Sequence, residues 1–224
     1  MPMHLEYWAI RAFGHHVRCM AFFLGLELPE TRLGAEDAPA YFEKKSNSCA
    51  EGNTLVNLTS ITDGDVYVTE TTACIVYLLE KAGRQDMMNN TWQRTQVASI
   101  VFSVFYDISA PAYLLADQAA LAAALTPKYE AFAKFQCPGL AKVLGDKPFF
   151  FGDQPVAVDF AFADLLEKLL AMDNELSIPT KLVKGNATWE GYLARFYALP
   201  KIAEFRASDK FVERPFNAPV AVWY

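Results

Sequence analysis

Several features are scarce in this 224-residue chain, and each scarcity excludes something. It has three histidines and four cysteines, and Cys19, Cys49, Cys74 and Cys137 form no Cys-x-x-Cys pair. That argues against a structural zinc site, and no metal is expected. There is no basic run, and 20 Lys and Arg against 26 Asp and Glu give a formal net charge of −6. Such a chain is a poor ligand for a nucleic-acid backbone. The most apolar stretch, residues 97–106, stops at Asp107, well short of the ~20 residues that span a bilayer. The N-terminal residues lack the basic and apolar regions of a secretory signal. A cytoplasmic protein with free thiols is the expectation, with neither nucleic acid nor membrane as partner. What is abundant is apolar surface: 53% hydrophobic residues, 14% aromatic, too rich for a disordered chain.

The first 80 residues mix strand and helix signals. Residues 5–10 read as a strand. Val17, Met20, Ala21 and Leu24 follow helical spacing, with Gly25 as its stop. Residues 27–33 read as a second strand, and the polar stretch 34–54 as a long surface loop. Residues 58–62 and 65–68 flank Asp63-Gly64 as a hairpin, and threonines 69, 71 and 72 open a helix through Leu79. Residues 83–90 read as a linker. Beyond it only helices are expected: 92–115 with a kink at Pro111, 128–144 starting at a Thr126-Pro127 cap, 157–172 with one apolar side, 187–198 and 200–207. An aromatic, proline-bearing tail from 213 to 224 reads as a docked extension. The fold class expected is α/β plus all-α: a thioredoxin-like domain (1–82), a linker (83–90) and a C-terminal helical domain (91–224).

An ordered set of short anchors runs along almost the whole chain. They are Met1-Pro2-Met3-His4-Leu5-Glu6-Tyr7-Trp8-Ala9-Ile10-Arg11, Asn57-Leu58-Thr59-Ser60-Ile61-Thr62-Asp63-Gly64, Thr69-Glu70-Thr71-Thr72-Ala73, Lys147-Pro148-Phe149-Phe150-Phe151-Gly152 with Val158-Asp159-Phe160, Leu199-Pro200-Lys201-Ile202, and Arg214-Pro215-Phe216 to Trp223. With these the chain resembles the cytosolic glutathione transferases, the mu class most closely.

The resemblance implies that Tyr7 donates a hydrogen bond to the sulfur of glutathione, a co-substrate rather than a bound cofactor. A free thiol titrates near pH ~8.5 and only its thiolate is a good nucleophile; a hydrogen bond to the charged form lowers that pKa. It also implies that Trp8, Tyr41 and Lys45 meet the glycyl end, that the backbone before residue 59, at Leu58, pairs with the cysteinyl residue, and that Asn57 is among the glutathione-binding residues. Glu70 and Thr71 would hold the γ-glutamyl end, and Phe13 and Tyr113 would line the pocket of the electrophile. By residue pattern alone, Tyr7 also fits a strand aromatic, residues 41–45 a solvated turn, the threonines simple caps, and Phe13 and Tyr113 aromatic core. His15 and His16 read as packing residues, Cys19 and Cys74 as inert core thiols.

Four positions depart from the family pattern. Thr59 stands where the family has a cis-proline. A cis bond before a non-proline residue costs about 2.5–4 kcal/mol, so a trans bond or a strained one is expected. Val104 stands where an acidic residue crosses the dimer interface, with Asp107 one turn on as the candidate substitute. Val156 replaces the hydroxyl that caps the helix of Asp159. The loop after the second strand is shortened near residues 34–39. The functions weighed are conjugation of glutathione to small electrophiles in a detoxifying homodimer; a non-catalytic structural or scaffold protein of the same fold; and a glutathione-dependent isomerase or peroxidase.

Overall fold

The computed structural model describes residues 2–52 and 55–224; Met1 of the first anchor and Asn53 and Thr54 of the expected loop lie outside the described residues. The chain divides into two units, Met1–Gln85 with Glu204–Pro219, and Asp86–Ala203 with Val220–Tyr224.

In the first unit, β1 (His4–Trp8) alternates: Leu5 and Tyr7 are buried, while His4, Glu6 and Trp8 are half-exposed. This is the two-residue period of a strand with one face in a core. β1 runs parallel to β2 (Glu30–Leu33), a pairing that needs a crossover. The crossover contains α1 (Gly14–Phe23), which is followed by Gly25 at φ 70°, a left-handed position that glycine fills without cost. On the other side of β1 lies β3 (Ser60–Asp63), antiparallel, then β4 (Val66–Thr69), giving the order β2-β1-β3-β4. The pairing of Asp63 with Val66 puts Gly64 and Asp65 in the hairpin loop, one residue later than the expected Asp63-Gly64. Gly64 supplies the positive φ of 60° that such a loop requires. α3 (Thr71–Lys81) buries Cys74, Ile75, Leu78 and Leu79.

The expected structureless loop at 34–54 is instead a short 3-10 turn (Ala35–Asp37) and a helix, α2 (Ala38–Ala50). Pro39 sits in its first turn, where a missing N–H is harmless. Tyr41 is the only buried residue on it, so no apolar stripe betrays the helix in the sequence.

The second unit is helical. α4 (Trp92–Ser109) gives way to a 3-10 turn, Ala110–Tyr113, at Pro111. α5 (Gln118–Ala131) begins ten residues before the expected 128, capped by Asp117 Oδ1 on the Ala120 amide at 2.8 Å. Pro127 therefore lies inside the helix rather than at its head. It has no N–H for the carbonyl one turn back, and beside that gap the Thr126 hydroxyl donates to the Ala122 carbonyl at 2.8 Å. The alanine-rich run before it has high helix propensity but little periodicity. A π-helical turn, Phe132–Gln136, joins α5 to α6 (Cys137–Leu144).

α7 (Ala157–Glu175) is buried on nearly every side, including Asp159, Asp164, Lys168 and Asp173, not on a single face as its spacing implied. α8 (Ala187–Tyr197) follows, and α9 (Pro200–Arg206) begins in this unit and ends in the Glu204–Pro219 segment of the first. The tail docks as expected. Pro215 and Phe216 carbonyls accept the Arg11 and Ala12 amides at 2.7 and 3.1 Å in the first unit, and the Val222 amide donates to Ala112 at 2.8 Å in the second. The architecture is an N-terminal thioredoxin-like layer with a C-terminal helical domain.

Asp159 anchors the head of α7 without the missing hydroxyl. Its carboxylate accepts the Phe150 and Val156 amides at 3.0 and 2.8 Å and the Tyr192 hydroxyl at 2.6 Å. Burial pushes its pKa up, and these three donors pull it back. Asp159→Ala orphans all three in a buried site, so a loss on the order of 3–5 kcal/mol is expected in denaturant unfolding. A midpoint unchanged from the parent would remove Asp159 from this role.

Candidate functional site

Tyr7 stands near the end of β1 with its ring buried. The ring closely approaches Gly14, the first residue of α1. A Cβ there would overlap the ring carbons Cγ, Cδ1 and Cε1. The guanidinium of Arg18, one turn further along α1, lies 5.5 Å over the same ring. Arg18 also donates to the Trp8 and Ile10 carbonyls at 3.1 and 2.8 Å and to Glu30 at 2.7 Å. Strand end, turn and helix are thereby tied to one side chain. Neither Gly14 nor Arg18 was singled out from sequence. A glycine at the head of a helix, spaced seven residues from a strand tyrosine, is the signal that could have found the first.

Trp8 meets Tyr41 of α2 edge-on, ring centroids 5.1 Å apart at 78°. Burial first, then the charges of Tyr67, Glu6 and Glu70, push the Tyr41 phenol up to about 12, opposed by the Leu58 backbone. At neutral pH it is an uncharged O–H donor. Lys45, one turn further on α2, donates to Asn57 Oδ1 at 3.0 Å, and Asn57 Nδ2 donates to Glu70 Oε1 at 2.6 Å. A chain of side chains thus links α2 to the head of α3.

That head is the most specific feature. Glu70 adopts φ 73° and ψ 131°, a backbone region that costs a non-glycine residue on the order of 1–3 kcal/mol. The first helical bond runs from the Cys74 amide to the Glu70 carbonyl at 2.9 Å, so the amides of residues 71–73 precede the intrahelical ladder. The exposed Glu70, the Thr71 hydroxyl and those amides stand together at this head, and amides at the start of a helix suit an anion.

The Leu58–Thr59 peptide bond is cis; of the two expectations for this position, a trans bond or a strained one, the first is not met. Thr59 is fully buried and doubly held. Its hydroxyl lies 3.0 Å from that of Thr71, and its carbonyl accepts the Cys74 thiol at 3.6 Å. Burial, with the charge of Glu70, pushes that thiol up to about 12. Cys74 is therefore a protonated packing donor.

Tyr7, Trp8, Tyr41, Lys45, Asn57, Leu58, Glu70 and Thr71 all fall in the first unit. The contacts above link Trp8 to Tyr41, and Lys45 through Asn57 to Glu70. Phe13 also belongs to this unit, its ring edge-on to His16 at 6.0 Å. Tyr113 belongs to the second and is 42% exposed. Val104 is buried, and Asp107, the candidate substitute for the missing acid, is ion-paired to Lys128 at 3.1 Å. Among the described residues no group of His, Cys, Asp and Glu could hold a metal, and no helix is long and apolar enough to cross a membrane.

No protein-family model matches the chain. It is similar to glutathione S-transferase Mu 2 of Homo sapiens, 27% identical with 100% of this chain and 99% of that protein covered. It is also 25% identical to glutathione S-transferase Mu 7 of Mus musculus, with the same coverage. Among solved structures it resembles NaGST-2, TM-score 0.69 at 16% identity, covering 94% of this chain and 99% of that one. The glutathione S-transferase from Ascaris lumbricoides gives TM-score 0.62 at 19% identity, covering 94% and 100%. These structures share the fold.

Proposed function

We propose that this chain is a glutathione transferase that joins the sulfur of glutathione to a small electrophile. The observation that carries the reading is the head of α3, where the Glu70 carboxylate, the Thr71 hydroxyl and the amides ahead of the intrahelical ladder adjoin, groups whose charges suit an ammonium beside a carboxylate. The full-length similarity to glutathione S-transferases supports the general type of function. In this reading Glu70 takes the γ-glutamyl ammonium, and Thr71 with the first amides of α3 takes the neighbouring carboxylate. Leu58 offers its backbone to the cysteinyl residue, with Asn57 beside it fixing Glu70 and Lys45. Lys45, Trp8 and Tyr41 meet the glycyl carboxylate.

The Tyr7 hydroxyl donates to the sulfur and favours the thiolate. The thiolate's electron pair forms a bond to the electrophilic carbon. A leaving group departs with its own pair, or an added substrate takes up a proton. Phe13 and Tyr113 are proposed as the aromatics that meet the acceptor. A homodimer, assignment to the mu class, a detoxifying role and a cytoplasmic location are proposed from the same resemblance.

The scaffold reading is favoured by one observation: Val104 offers no charge and Asp107 is already engaged by Lys128. Calorimetry with glutathione separates the two. Binding in the micromolar-to-millimolar range, weakened about tenfold or more by Glu70→Ala through loss of a charged hydrogen bond, is the expected outcome. No heat at millimolar glutathione favours the scaffold.

A further inference from the structure

The buried hydroxyl of Thr59 meets Thr71, the first residue of α3, at 3.0 Å between oxygens. Thr59 is 0% exposed and Thr71 8%. A hydroxyl carries one proton and can accept as well as donate, so the pair can be wired in two directions. If Thr71 donates to Thr59, the Thr71 oxygen turns lone pairs toward the helix head. If Thr59 donates to Thr71, the Thr71 proton is released to point there. The head of α3 already offers amide donors and the positive end of the helix dipole. An anion arriving there selects the second wiring, because only then do the Thr71 hydroxyl and the amides of the helix head all present protons to it.

Resting on the glutathione reading above, we propose that Thr59 is a positioning residue for the γ-glutamyl carboxylate. Thr59 donates to Thr71 Oγ1, and Thr71 in turn donates to the carboxylate. Donors linked in series polarise one another. The Thr59 contact also holds the Thr71 side chain in one rotamer before the ligand arrives, so less freedom is lost on binding. Other occupants of position 59 lack this relay: proline and valine fill the space but bring no hydroxyl.

The test is a cycle between residue and ligand group. Titrate parent, Thr59→Val and Thr59→Ser, all as the full chain, by calorimetry with glutathione. Repeat with an analogue whose γ-glutamyl residue lacks its α-carboxylate. Thr59→Val is expected to weaken glutathione by roughly 3- to 10-fold and to leave the decarboxylated analogue within twofold of the parent. Thr59→Ser is expected to keep most of the affinity. An equal loss against both ligands, or no loss against glutathione, overturns the relay while leaving the glutathione site standing. If valine prevents folding, Thr59→Ala, read as the same ratio of the two ligands, carries the test: it should cut the preference for the carboxylate by the same roughly 3- to 10-fold, and an unchanged ratio overturns the relay. A parent that binds neither ligand overturns the glutathione reading itself.

Discussion

Replacing Tyr7 by phenylalanine is expected to lower turnover with a generic aryl-halide electrophile by roughly 10- to 150-fold, the worth of one hydrogen bond to a charged group. The ring stays, so its packing against Gly14 and Arg18 stays with it. Glutathione affinity should fall much less than turnover, since the other contacts are unaltered. The pH profile carries the same information. Without the donor, the sulfur titrates closer to a free thiol, and the rise in rate shifts upward by roughly one to two pH units, each unit being about 1.4 kcal/mol. Steady-state kinetics across pH check both effects. Equal turnover in parent and variant would take Tyr7 out of the chemistry.

The second large effect is expected at Gly14, a residue that touches no substrate in this reading. A methyl group there overlaps the Tyr7 ring, and neither partner has room, because Tyr7 is buried and the first eight residues of α1, Gly14 to Ala21, are buried too. Overfilling a packed site costs about 1–3 kcal/mol. A displacement of the phenol by about an ångström can cost on the order of 10²-fold in rate. Gly14→Ala should therefore lower both stability and turnover. Gly139→Ala is the control: it lies within α6, where an added Cβ meets nothing within 4 Å. It should be neutral or stabilise by up to ~1 kcal/mol, since alanine is the better helix former. Thermal unfolding and kinetics on the two variants decide the matter. A Gly14→Ala protein as active as the parent would mean the ring is not held where the structure has it.

The elements that were legible in the sequence are those with local signals. β1 shows as a short apolar and aromatic run, α1 by Val17, Met20, Ala21 and Leu24 at helical spacing although Gly14 to Ala21 are all buried, α3 by the threonines at its head, and Gly64 marks the hairpin to within one residue. α2 escaped because it buries Tyr41 alone. α5 escaped because a proline usually heads a helix, whereas Pro127 sits within one begun by Asp117 and a run of alanines. α7 showed one apolar side because its buried Asp159, Lys168 and Asp173 are polar by sequence and core by position.

The site divides in the same way. Glu70 and Thr71 are visible because cap chemistry is local, and Tyr7 because an ordered set of anchors surrounds it. The Lys45–Asn57–Glu70 chain, the close approach of Gly14 to the Tyr7 ring and the Thr59–Thr71 hydroxyl pair are long-range juxtapositions. Periodicity carries no trace of them. The residue at 59 was notable only for what it replaces, and its hydroxyl partner emerges from the fold.

The thiol of bound glutathione can be titrated by the ultraviolet absorbance of its thiolate, with protein in excess so that nearly all of the tripeptide is bound. A phenol that donates to sulfur should lower the apparent pKa below the ~8.5 of a free cysteine-type thiol by a unit or more in the parent. In Tyr7→Phe it should rise again toward that value. A parent in which the bound thiol titrates like the free one would contradict the assignment of Tyr7, and with it the catalytic reading of this chain.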